Sequence, residues 1–241
     1  MNLFGEAFGW ILDPANWQGS SSIGGAILLH LYYTFVSVLV ASAIAIPVGY
    51  LIGHTGRGRE VAVAISGAAR ALPSFGLILL LVLVLGVTRT AVGAFIAFVI
   101  LGIPSILAGA YSGLQAIDRR TVDAARAVGM SEWQILTKVE IPLGLPLLVG
   151  GLRSAVLQIV ATVALAGYVN LGGLGFFIVQ GIPLRDYSQI LGGAILIIVL
   201  AFLLDAVFGL LANAVRPKGL DTRKTRSRAS RPAAAVDTPT T

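Results

Sequence analysis

The chain contains no cysteine. That excludes disulfides, thiolate metal sites and a cysteine nucleophile, and it leaves the redox compartment open. Charge is scarce too: Asp, Glu, Lys and Arg make up 12% of the 241 residues, where soluble domains carry about a quarter. No basic residue precedes the first long apolar stretch, which begins near Ile27 and is too long for a signal-peptide core, so it reads as a retained span. No Gly-x-x-x-x-Gly-Lys-Ser/Thr loop occurs, so an ATP-driven mechanism needs a separate ATPase that holds ATP and magnesium. No nucleophile stands with a base, and no carboxylate pair suggests an enzyme active site. His30 and His54 lack metal-ligand company. His30 falls at the start of the first apolar stretch and His54 in the loop that follows it, so no shared metal site is expected.

What is present is apolar: 56% of the residues are hydrophobic. The composition is that of an all-α integral membrane protein. Five spans stand out, at 27–53, 61–86, 91–114, 145–168 and 188–213, each near the ~20 residues a bilayer needs. The count is six if the N-terminal segment, or each half of the second span, is counted separately. Pro47, the Leu72-Pro73-Ser74 step and Gly102 with Pro104 are expected to break spans, where neighbours or a cavity satisfy the freed backbone groups.

The formal charge of +6 does not point to nucleic acid, because the basic residues fall in a few loops and the tail. Arg57 and Arg59 follow span one. Arg119, Arg120, Arg126 and Lys138 follow span three. Arg89 and Arg185 stand alone in the other loops. This alternation places the N-terminus outside and the C-terminus in the cytoplasm. Residues 1–26, with Trp10 and Trp17, read as an extracytoplasmic, interfacial segment. Residues 27–219 read as the transmembrane domain. Residues 220–241 read as a basic, disordered cytoplasmic tail that touches anionic lipid or carries a regulatory role.

One stretch is too polar for its surroundings: DAARAVGMSEWQILTKVEIP, Asp123 to Pro142, within a loop at 118–142. Asp118 or Thr121 can cap a first short helix whose apolar side carries Val122, Ala125 and Val128. Gly129 stands where a helix end favours left-handed backbone. Ser131 with Gln134 forms a capping box, and Met130 with Ile135 has the spacing of a hydrophobic staple. The prediction is a bent helix pair ending at Pro142. The small residues Ala124, Ala125 and Ala127 leave the first helix slim enough for a partner's groove. An amphipathic helix lying on the membrane fits the same residues.

The pattern resembles the cytoplasmic loop of binding-protein-dependent ABC importer permeases: Glu-Ala-Ala, three residues, Gly, nine residues, Ile, one residue, Leu-Pro. Here Asp123-Ala124-Ala125, Gly129 and Val139-Glu140-Ile141-Pro142 stand at the matching places. The resemblance implies that Asp123 to Met130 dock into a cleft of a cytoplasmic ABC ATPase dimer. The LLHLYYT, AIPVGYLIG, ALPSFGLILLL, GIPSILAGAYSGL and NLGGLGFFIVQG runs are similar to the osmoprotectant branch, which imports glycine betaine, carnitine, choline or proline. Methionine-type permeases are built alike. The resemblance further implies a second permease chain, identical or paralogous, an extracytoplasmic substrate-binding protein and a bacterial inner-membrane location.

Three charges lie inside spans: Arg70, Arg153 and Asp205. Each is expected to face protein and pair, with Asp205 meeting Arg153 or Arg70. Such a pair is either structural or part of gating. GYVNLGGLG, Gly167 to Gly175, lets backbone bend or pack closely, or brings Tyr168 or Asn170 to substrate. Thr34, Ser74, Tyr111, Gln158 and Asn170 are polar residues near broken or crossing segments and are candidates for the translocation path. An ion-coupled secondary transporter using Asp205 or Arg70 is the rival class, and an intramembrane enzyme or assembly scaffold a third.

Overall fold

A computed structural model describes residues 2–215, and of Arg70 the backbone alone. The tail expected at 220–241 and the Arg70 side chain lie outside the described residues. The elements run α1 (Leu3–Leu12), α2 (Ile23–Thr55), α3 (Arg59–Ala71), α4 (Ser74–Leu85), α5 (Thr90–Gln115), α6 (Arg119–Ala127), α7 (Glu132–Ile135), α8 (Ile141–Leu165), α9 (Gly175–Leu184) and α10 (Tyr187–Ala214).

Among the described residues, four helical stretches are long and apolar enough to cross a membrane: Ile23–Thr55, Val87–Gln115, Glu132–Val169 and Tyr187–Ala214. α3 and α4 pass the same test as a pair, bent by 86° where they meet, which makes five. α1 has ten residues. At 1.5 Å per residue it is about 15 Å long, half the hydrocarbon core, so the N-terminal segment is too short to add a sixth span. α1 packs against the start of α10, with the Trp10 ring over Gly192 and 5.1 Å from that of Phe177.

Of the three expected breaks, one is real. Leu72 is extended (φ −66°, ψ 131°), as the ring of the following proline demands, and the chain turns there. Pro47 and Pro104 instead sit inside continuous helices. A proline forfeits one hydrogen bond to the preceding turn. In α2 and α5 the flanking turns are held by packing, with Ala41, Ala45, Ile106 and Leu107 buried between α2, α5 and α8.

The expected stop at Pro142 is also corrected. Helix runs on from Glu132 to Val169 over 38 residues. Leu136–Glu140 form a wider π turn, and the Ile141 N–H donates five residues back to the Leu136 carbonyl. Pro142 brings no N–H of its own, so the shifted ladder passes through it without stranding a donor.

α5 is the centre of the bundle. Of its most apolar stretch 61% is buried inside the chain, against 6% for α10. α10 therefore offers most of its surface to lipid or to another chain. α5 crosses antiparallel α8 with almost nothing between the backbones. A Cβ added at Gly113 would meet the Gly144 carbonyl oxygen at 2.6 Å, and one at Gly151 would meet that of Ser105 at 2.7 Å. This close approach brings the ends of α2 and α5 and the start of α8 together, and the polar loop hangs from that end. α1, the loop at 170–174 and the start of α10 gather at the other.

Candidate functional site

The polar loop is a tight elbow. Asp118 caps α6 by accepting from the Arg120 N–H. α6 closes with the Gly129 N–H on the Arg126 carbonyl at 2.9 Å and the Met130 N–H on the Ala125 carbonyl at 3.2 Å. This paired closure requires left-handed backbone at the residue after the cap, and Gly129 has φ +86°. Ser131 then opens α7 with a reciprocal capping box, its Oγ accepting from the Gln134 N–H while the Gln134 side chain accepts from the Ser131 N–H.

The elbow is braced by charge. Arg126 donates from Nε and Nη2 to both carboxylate oxygens of Glu132, at 2.8 and 3.1 Å, and from Nη1 to Asp123 at 3.3 Å. These bonds, those to Glu132 first, hold the Arg126 guanidinium above its ordinary range. Ala125 and Ile135 turn inward and are buried. Asp123, Ala124, Ala127 and Gly129 face outward, and Met130 is half-buried. Val128, expected on the same apolar side as Ala125, is 79% exposed, and Trp133 is 72% exposed. A charged loop thus carries two large apolar side chains into the open. Pro142, exposed, lies in the first turn of α8.

A neighbouring pair was not legible in the sequence. His54 ends α2 rather than lying in a loop. Its Nδ1 is 2.5 Å from the buried Glu140 carboxylate and its Nε2 is 3.4 Å from that of Glu132. Partners 86 positions apart leave no local pattern to read.

Between α8 and α10, Asp205 is forked by Arg153, Nε to Oδ1 at 2.5 Å and Nη2 to Oδ2 at 2.6 Å, with both side chains partly exposed rather than turned fully into the protein. The bidentate geometry ties α10 to α8 about 14 Å from the end of α10, at 1.5 Å per residue.

At the opposite end the glycine-rich run is a close-packed turn. A Cβ on Gly175 would collide with the Ala164 carbonyl. Buried His30 pins this turn: its Nε2 donates to the Val160 carbonyl at 3.0 Å, and its Nδ1 accepts from the Leu174 N–H at 3.4 Å. The five path candidates have different neighbours. Asn170 lines a cavity of about 400 Å³ with Ser22, Leu29 and Phe176. Thr34 is fully buried and donates to the His30 carbonyl. Gln158 accepts from Ser105 at 3.4 Å. Tyr111 lies by Gly49 of α2. Ser74 begins α4, where the next residue, Phe75, meets Tyr168 edge-on at 5.2 Å. Among the described residues no group of three His, Asp or Glu side chains is arranged to hold a metal ion.

Residues 45–218 match the family described as binding-protein-dependent transport system inner membrane component. The chain belongs to that family. As a binding-protein-dependent permease it is the membrane subunit of a multicomponent ABC importer and not its ATPase. This sets aside the ion-coupled secondary transporter. The permease is 32% identical to the osmoprotectant import permease protein OsmW of Salmonella typhimurium, over 88% of this chain and 97% of that protein. It is 28% identical to the glycine betaine/carnitine/choline transport system permease protein OpuCB of Bacillus subtilis, over 83% of this chain and 94% of that one. Its fold is that of a chain of the MetNI methionine ABC transporter in an inward-facing conformation, with a TM-score of 0.74 and 24% identity, covering 85% of this chain and 99% of the other.

Proposed function

We propose that this permease imports compatible solutes, with glycine betaine, carnitine, choline or proline as the solute class, and that its elbow receives the stroke of the ATPase. The solute class is supported by the relatives whose names carry glycine betaine, carnitine and choline. The methionine alternative has only the likeness to MetNI, which at that identity bears on fold alone.

The elbow is the observation that carries the mechanism. Asp123, Ala124, Ala127 and Gly129 line its outer side, with Val128 and Trp133 beside them. Small residues flanked by two exposed apolar side chains on a charged loop fit a groove on a partner. Two permease chains, identical or paralogous, surround a central path. An extracytoplasmic binding protein delivers the solute. Two ATPase copies close on ATP, draw the elbows together and bias the spans between inward- and outward-facing states. In this arrangement the elbow end and the tail are cytoplasmic, and α1 and the His30-pinned turn lie outside, as the distribution of Arg and Lys requires. Tyr168, exposed beside Phe75 at the bend of the broken span, and Asn170 then stand at the outer mouth.

The test is ATP hydrolysis by the complex reconstituted in vesicles. Betaine-loaded binding protein stimulates it and methionine leaves it at the basal rate. Stimulation by methionine alone would reassign the solute class.

A further inference from the structure

α8 is continuous with the elbow, so any movement of α6 and α7 reaches α8 along the helix itself. α2 has no such covalent route: its inner end is separated from the elbow by three helices in the chain. Yet the His54 ring stands between the two. On one side it meets Glu140, whose side chain is 7% exposed at the foot of α8, and on the other Glu132 of α7. Glu132 is in turn gripped by Arg126 of α6, which also holds Asp123. The chain Asp123–Arg126–Glu132–His54–Glu140 is an unbroken series of polar contacts from the docking face to two spans. Arg59, Arg119 and Gln115 line the remaining wall of the same polar cleft. The Glu140 carboxylate only accepts, so Nδ1 carries the N–H of that contact. Glu140 is a buried acid with no other hydrogen-bond partner than His54 among the described residues.

We propose that His54 is a positioning residue for transport: it locks the inner end of α2 to the elbow, so that α2 and α8 move as one body when the ATPase moves α6. This rests on the reading that the elbow docks on the ATPase. Packing holds α2 to α5 and α8, and the His54 contacts are what reach the elbow itself. α2 meets α5 through small residues, with Gly49 against Ala110 and Gly53 against Leu114. The His54 bridge is the feature that fixes the register of α2 against the elbow.

The experiment uses the assembled permease–ATPase complex with its binding protein, in vesicles. Because this chain has no cysteine, Thr55→Cys with Arg120→Cys places spin labels on the end of α2 and on α6, given a cysteine-free ATPase. Solute moved per ATP hydrolysed is measured alongside. With His54 present, the distance between the labels is the same in the ATP-free and ATP-trapped states, although Arg120→Cys paired with a single cysteine placed on the ATPase shows α6 moving relative to it. With His54→Ala the distance changes on trapping, and solute moved per ATP falls at least about fivefold, the lower edge of ordinary coupling between sites. His54→Lys, which supplies N–H donors that reach both carboxylates, recovers most of it. Glu140→Gln, equal in size and uncharged, lowers the ratio in the same way and covers the case in which His54→Ala assembles poorly. The proposal is overturned if His54→Ala and Glu140→Gln transport as much per ATP as the parent. It is equally overturned if every His54 and Glu140 variant fails to assemble, Lys included, since the cluster would then be structural only. If the label on α6 does not respond to ATP in the parent complex, the docking reading itself fails and takes this proposal with it.

Discussion

Gly129 is exposed, and a side chain there would meet nothing within 4 Å, so its whole requirement is the left-handed backbone at φ +86°. A β-branched residue is strained there, at a cost of about 1–2 kcal/mol, whereas asparagine tolerates it. Gly129→Asn is therefore expected to keep ATPase co-purification and Gly129→Val to lose it, with the melting temperature of the membrane domain nearly unchanged in both. Asp205 and Arg153 form the second case. Asp205→Asn leaves the Arg153 fork without its anion between spans, and thermal stability in detergent should fall. Replacing both by apolar residues, Arg153→Met with Asp205→Leu, should recover it. Should Asp205→Asn leave assembly and transport untouched, the fork is dispensable and has neither a structural nor a gating role.

At the scale of elements, the crossing of α5 and α8 is the least forgiving contact. Gly113→Ala puts a methyl group 2.6 Å from the Gly144 carbonyl oxygen, whereas Gly150, on another side of α8, has open space around it. Overpacking of this kind costs about 1–3 kcal/mol, so Gly113→Ala should lower the thermal midpoint and Gly150→Ala should not. Equal melting of the two would mean the backbones are not in contact. The long helices were legible in the sequence because unbroken apolar runs have no other soluble or membrane solution at that length. The elbow was legible because its caps are local: Gly129, then Ser131 and Gln134 three residues apart. What could not be read was set by distance along the chain or by context. His30 and His54 find partners far away in sequence. Pro47, Pro104 and Pro142 look like breaks, and the packing around α2 and α5 and the π turn before α8 absorb them. α9 hides in a stretch that reads as loop because Gly and Pro interrupt it.

At the scale of the whole molecule, the bundle has two differently built ends joined by α2, α5 and α8. One is a charged elbow with free apolar side chains; the other is a glycine-rich turn sewn to α2 and α8 through His30. Such a division suits a subunit driven from one side and loaded from the other. Its large, little-buried α10 face leaves room for lipid or a second permease chain. The claim on which this account depends is that the elbow meets the ATPase, and Val128, 79% exposed at its tip, is the place to ask. Val128→Cys gives the chain a single thiol. A bifunctional crosslinker from that thiol should join it to the ATPase subunit in native membranes, and a membrane-impermeant thiol reagent added to intact cells should not reach it. Labelling of Val128→Cys from outside the cell, or a crosslink that never includes the ATPase, would contradict the account.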